Sequence, residues 1–248
     1  LVFGFVSLVL PAQEGQDPRV EAYQRNFVQA GMSVKLQVLQ DASQEESVNM
    51  GPLYHQAVDF LINNSFLLEN DTTAGDIAIL AVRLIGDQGY KPARYSVWEL
   101  FSMYKNTNFR VASMNTLGGI AEGDEKLIQA MNNWLDRRNS IYRTGQTVDQ
   151  QVVRSCVNNL GELGNPNSFS PIFTTMVLRY SDAVTRAARQ ALTRLDGDYT
   201  EHLIQVIKNG SIQERYTALV IGLESEEVSG EDQRGRVAAA ALEAALDL

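Results

Sequence analysis

Four stretches of the chain spell nearly the same phrase. They are Phe109-Arg110-Val111-Ala112-Ser113-Met114-Asn115-Thr116-Leu117-Gly118, residues 152–161, residues 184–193 and, more loosely, residues 213–222. Self-similarity at a period of roughly 30 to 45 residues marks stacked helical hairpins, because each unit is too small to bury its apolar face alone. Leu84, Leu117, Leu160, Leu192 and Ile221 occupy corresponding places, at steps of 33, 43, 32 and 29 residues. The expected fold is therefore all-α, an α-solenoid of stacked antiparallel hairpins. No stretch alternates apolar and polar residues long enough to predict a sheet.

Apolar residues at helical spacing predict a helix over 20–42 with a break at Gly31, and another over 53–68. Further helices are expected at 76–85, 92–104, 108–121, 124–138, 149–163, 171–180, 182–195, 199–208, 211–223 and 231–246. Pro92 and Pro171 fall where helices begin, a position at which proline's missing N–H is harmless. Asp149, Asp182 and Ser211 read as N-caps, and Gly164 and Gly210 as left-handed helix ends. The one long step of the register contains Asn139 to Val148, largely polar, which reads as an enlarged loop between repeats.

Residues 1–10 are apolar apart from Gly4 and Ser7 and are followed by Pro11, Ala12 and Gln13. That run fits the remnant of a signal peptide over 1–13 and is too short to span a membrane. A polar linker over 14–19 and a single helical-repeat domain over 20–248 follow. The expected location is outside the cytoplasm, periplasmic or secreted. One cysteine, Cys156, cannot form an internal disulfide and stands at a small core position of its helix.

The net charge of −9 argues against a nucleic-acid partner, which calls for a basic stripe. It is unevenly spread: −6 over 1–133, +4 over 134–194 and −7 over 195–248. All eight bases of the middle block are arginine, the residue suited to bidentate pairing at interfaces. Two arrangements fit this count. Arg137, Arg138, Arg143, Arg179, Arg189 and Arg194 either form a surface for a protein partner, an acidic one, or pair with acids of neighbouring repeats. Arg154, Arg186 and Arg215, each six residues before a core-register Leu or Ile, are expected to pack along the stack.

These residues resemble a HEAT-like repeat protein, whose second helix reads roughly D-x-x-V-R-x-x-A-x-x-A-L-G-x-L-G. The matches are Asp182-Ala183-Val184 with Ala187, Ala191, Leu192 and Leu195, and Val152 with Leu160-Gly161-Glu162-Leu163-Gly164. The resemblance implies an α-solenoid and scaffold or adaptor roles, and no reaction. The usual arginine position holds Arg110 but is Val153 and Thr185 in the next repeats, with Arg154 and Arg186 one place later. One residue is about 100° around a helix, which displaces the family's arginine ladder.

Little else in the chain carries chemistry. His55 and His202 are isolated within helix patterns, without the i, i+4 spacing of a zinc pair. The run Gly118 to Gly123 lacks the strand before it and the Lys-Ser/Thr after it that a phosphate loop needs, and it falls at a helix end. Asp196-Gly197-Asp198 opens like a calcium loop, but Glu201 and Ile207 occupy its sixth and twelfth places, where Gly and Glu belong. The expectation is thus no catalytic, metal or cofactor site. The leading function is a non-enzymatic exported scaffold that binds a protein. The alternative is a structural subunit of a self-assembling or larger envelope complex, and the Ala-rich face of Val237 to Leu246 bears on it.

Overall fold

The computed structural model of the chain describes residues 17–224 and 230–246, so the expected signal segment over 1–13 lies outside the described residues. Within them the chain forms fourteen α-helices and two short 3₁₀ segments, and no strand. The helices are α1 (Pro18–Gln29), α2 (Met32–Ala42), α3 (Gly51–Asn63), α4 (Leu67–Asn70), α5 (Thr72–Asp87), α6 (Arg94–Met103) and α7 (Thr107–Ile120). After them come α8 (Glu125–Arg143), α9 (Gln150–Glu162), α10 (Phe169–Leu178), α11 (Asp182–Leu192), α12 (Thr200–Asn209), α13 (Ile212–Glu224) and α14 (Glu231–Leu246). The four self-similar phrases fall on α7, α9, α11 and α13.

Side chains set most of the helix starts. Asp17, Asp71, Asn106, Asp124 and Asp149 each accept a backbone N–H of the first turn, satisfying donors that a helix leaves free. Ser211 and Glu214 form a capping box: the Glu214 carboxylate accepts from the Ser211 N–H at 2.8 Å, and Ser211 Oγ accepts from the Glu214 N–H at 3.4 Å. Where Asp182 is expected to cap α11, Ser181 does so, and Asp182 adds its charge to the first turn. Gly164 is left-handed as expected, at φ 66°. Gly210 is extended instead, with φ −78° and ψ 169°, because Arg215 Nε takes its carbonyl at 2.8 Å and closes α12 from outside. Pro171 stands third in α10, within the first turn, where no N–H is missed.

Several boundaries differ from the periodicity. The polar stretch expected as a linker ends inside α1, whose Val20 is buried. The break at Gly31 is a full separation of α1 from α2, and the helix expected to reach Leu68 stops at Asn63. Another is α8, which continues to Arg143. Asn139, expected in a loop, is 2% exposed within it. Its amide donates to Pro171 O at 2.9 Å, and its Oδ1 accepts from Thr175 Oγ1 and Tyr180 OH, each at 2.9 Å. Tyr142 stacks on Tyr180 with centroids 3.9 Å apart, so the extra helical turn is held by α10.

The helices pack on their neighbours. α3, α5, α7, α9 and α11 lie side by side in succession, α6 packs on α3 and α7, α10 packs on α8 and α11, and α12 packs on α13 and α14. Side-chain hydrogen bonds between these elements join residues from 7 to 44 positions apart. One ion pair, Arg143 to Glu214 at 4.0 Å, reaches further along the chain. A continuous apolar core runs from Val20 to Ala244.

Helices α7, α9 and α11 approach one another very closely at the glycine that ends the repeated phrase. A Cβ on Gly161 of α9 would lie 2.7 Å from both Cα and Cβ of Ala191 on α11, and one on Gly118 of α7 would run into the Asn159 side chain of α9. This spacing corrects the register on α5. Gly86 lies against Thr116 of α7, so Ile85 and not Leu84 corresponds to Leu117 and Leu160. Ile85 is fully buried, whereas Leu84 is only partly so.

Candidate functional site

Two surfaces gather polar groups. The first is the row made by α5, α7 and α9, where a groove of about 450 Å³ is lined by Arg83, Asp87, Asn108, Asn115 and Gln151, with Gly119 at its edge. Asn115 joins the row across helices: its Oδ1 accepts from Ser155 Oγ at 2.6 Å and from Asn159 Nδ2 at 3.1 Å. Thr116 Oγ1 reaches Val82 O at 2.8 Å on the other side.

The second is the edge where α6 turns into α7, α8 into α9 and α10 into α11. Arg110 on α7 is 9% exposed, with its guanidinium carbon 4.4 Å from the Phe101 ring centroid and 5.3 Å from that of Trp134. Half-buried Arg138 on α8 lies 5.5 Å from the same indole. The Nε of each is buried without a hydrogen-bond partner. Burial, and then the charge of Arg138, push the Arg110 guanidinium below its ordinary pKa, with Asp149 opposing. Asp149 is already engaged, accepting from the Gln151 and Val152 N–H groups and from Thr107 Oγ1. Lys105, whose ammonium folds back on Ser102 O, is lowered by desolvation and then by Arg110 and Arg138. The three cations therefore feel one another.

The six arginines named from the charge count do not form one patch. Arg138, Arg143 and Arg179 belong to the turn edge just described. Exposed Arg179 holds the left-handed end of α10, at φ 50° and ψ 53°. Arg194 pairs with Glu162 at the far end of α9, which is about 20 Å from Asp149 for a helix of that length. Exposed Arg137 bonds back to Asn133 O on its own helix, and Arg189 is exposed on α11. Of the arginines expected to pack along the stack, Arg215 does, donating to Gly210 O, Lys208 O and Ala244 O. Arg154 and Arg186 are exposed instead. Six positions along a helix is about 240° around it, which turns these two away from the buried face.

No protein-family profile and no curated protein matches the chain. Among solved structures, one described as "Computational Design of Self-Assembling Cyclic Protein Homooligomers" is 11% identical, covers 92% of this chain and 88% of that one, and has a TM-score of 0.22. A likeness that distant carries no argument about fold or assembly.

The remaining reactive side chains have structural partners. His55 Nε2 bonds Ser96 Oγ at 2.8 Å and links α3 to α6, and His202 lies over Phe169. Cys156 is fully buried, and burial pushes its thiol pKa well up, as befits the small core residue expected there. Lys35 is 4% exposed and closes α1 through Phe27 O and Val28 O, over the Phe27 and Phe60 rings. Among the described residues no group of three or more His, Cys, Asp and Glu could hold a metal, and no helix is long and apolar enough to cross a membrane. Neither the Arg110 cluster nor Lys35 was legible from spacing. Their aromatic partners Trp134 and Phe60 lie on other helices.

Proposed function

We propose that this chain is a non-enzymatic, exported helical-repeat scaffold, an α-solenoid of HEAT-like hairpins, that holds an acidic protein partner along its turn edge. The observation that carries this reading is the pattern of ties: side chains one repeat apart bond α5 to α7, α7 to α9, and α8 to the turn before α10. Such nearest-neighbour bonding builds a long rigid surface, which limits the ordering entropy that binding costs. The basic residues of the turn edge then present a row of charge to one partner.

The test is quantitative capture from the native source. A triple variant Arg138→Gln, Arg143→Gln, Arg179→Gln should lose the partner, with roughly 1–3 kcal/mol of affinity per arginine that the partner buries. The pair Arg154→Gln, Arg186→Gln should retain it. Equal recovery by both variants would contradict the assignment.

A second reading, a subunit that assembles end to end with its own copies, is favoured by apolar side chains exposed on the last two helices. Ile212 and Tyr216 on α13 are 71% and 65% exposed, and Leu242 and Leu246 on α14 are 64% and 78% exposed. Sedimentation velocity across a concentration series tests it. A mass that rises with concentration and falls back in Ile212→Glu, Leu242→Glu supports assembly, and a constant monomer mass removes it.

A further inference from the structure

We propose that Lys105, Arg110 and Arg138 form a binding site for an oxyanion, a carboxylate carried by an acidic segment of a protein partner. The site rests on the partner-binding reading for its partner class, and on its own geometry for its chemistry. Arg110 is more than nine-tenths buried, yet neither it nor Arg138 belongs to an ion pair among the described residues, and the Nε of each has no acceptor. A buried guanidinium ordinarily meets a carboxylate or a run of carbonyls, because an unpaired charge away from water is expensive. Here the compensation is aromatic: Phe101 and Trp134 lie against Arg110, and Trp134 against Arg138. Rings supply attraction without accepting the fork's N–H bonds.

The nearby acid does not complete the site. Asp149 spends one oxygen on two backbone N–H groups of α9 and the other on Thr107. Two guanidiniums against one indole therefore remain with hydrogen-bonding capacity to spare, the arrangement that a bidentate oxyanion satisfies, with Lys105 lining the adjoining cleft.

The neighbouring cleft favours a protein carboxylate over a free ion. Lys105 also lines an opening of about 820 Å³ with Phe66, Leu68, Glu69, Met103 and Tyr104, so one carboxylate of the chain already lies in that opening. Phe66 and Met103 there are 63% and 40% exposed. A peptide could set an acidic side chain on the cations and an apolar one on Phe66 and Met103, whereas a free ion would leave those apolar groups in water.

The full-length protein is titrated with a hexaglutamate peptide, and separately with inorganic phosphate, by calorimetry and by the fluorescence of Trp134. The expected result is saturable one-to-one binding of the peptide with a change in indole emission. Affinity should fall about 10-fold or more in Arg138→Gln and in Lys105→Gln, since hydrogen bonds to charged groups are the strong ones. Arg25→Gln, on exposed α1, should bind as wild type. Both informative substitutions lie on the accessible side of the cluster, so they test the site even where Arg110→Met fails to fold. Saturable binding of phosphate without the peptide would overturn the carboxylate assignment. No binding of either probe, or binding that survives both substitutions, would overturn the site. Neither result depends on the capture experiment, which tests the scaffold reading separately.

Discussion

Replacing Gly161 with alanine should destabilise the protein even though alanine is the better helix former. The added methyl would lie 2.7 Å from Ala191 Cα and Cβ and 3.3 Å from its carbonyl, against 3.4–4 Å for ordinary contact. Two of those three atoms are backbone and cannot rotate away, so α9 and α11 must part by about 0.7 Å or more. Overpacking of that kind costs about 1–3 kcal/mol, and the helix preference returns at most about 1 kcal/mol. The net loss is up to about 2 kcal/mol, or a fall in melting temperature of up to about 8 °C for a chain of this size. Gly119→Ala is the internal control. Gly119 is also helical, but its Cβ would meet nothing within 4 Å, so that substitution should stabilise by up to about 1 kcal/mol. Thermal and urea melts of the two variants decide the matter. If Gly161→Ala stabilised as Gly119→Ala does, the close approach of α9 and α11 would be refuted.

Asn139→Ala should lower stability by about 1–3 kcal/mol in urea melts, since it strands the buried Tyr180 hydroxyl, while Thr175 Oγ1 still donates to the Pro171 carbonyl; a loss under about 0.5 kcal/mol would show that the α8–α10 junction is wet. Arg194→Gln, which breaks an exposed pair with Glu162, should change stability by no more than about 1 kcal/mol and leave partner capture unaltered. A loss of capture would place the binding surface at the opposite edge.

How much of this was legible depended on whether the deciding contacts lay within one helix or between two. The repeated phrase, the caps at Asp149 and Ser211 and the left-handed Gly164 are set by local backbone chemistry, and each stands where spacing placed it. Leu84 and Ile85 are adjacent and equally apolar, so only the approach of Gly86 to Thr116 fixes which one faces the core. Asn139 looked like the start of a loop because a polar residue interrupts the apolar rhythm, and the groups that satisfy it come 32 to 41 residues later. The charge count found an arginine-rich block, but counting cannot show that Arg194 points to one edge and Arg143 to the other. Arg110 entered the sequence argument only as a motif position, and its setting between Phe101 and Trp134 needs α6, α7 and α8 together.

Native-state hydrogen exchange on the full chain tests the nearest-neighbour bonding of the helices most directly. A stack opens from its ends. The prediction is graded protection, highest over α7 and α9, with α12 to α14 exchanging together as a less stable unit because their contacts are mainly with one another. One uniform opening free energy shared by α3, α9 and α13 would contradict it, since that is the behaviour of a single globular core.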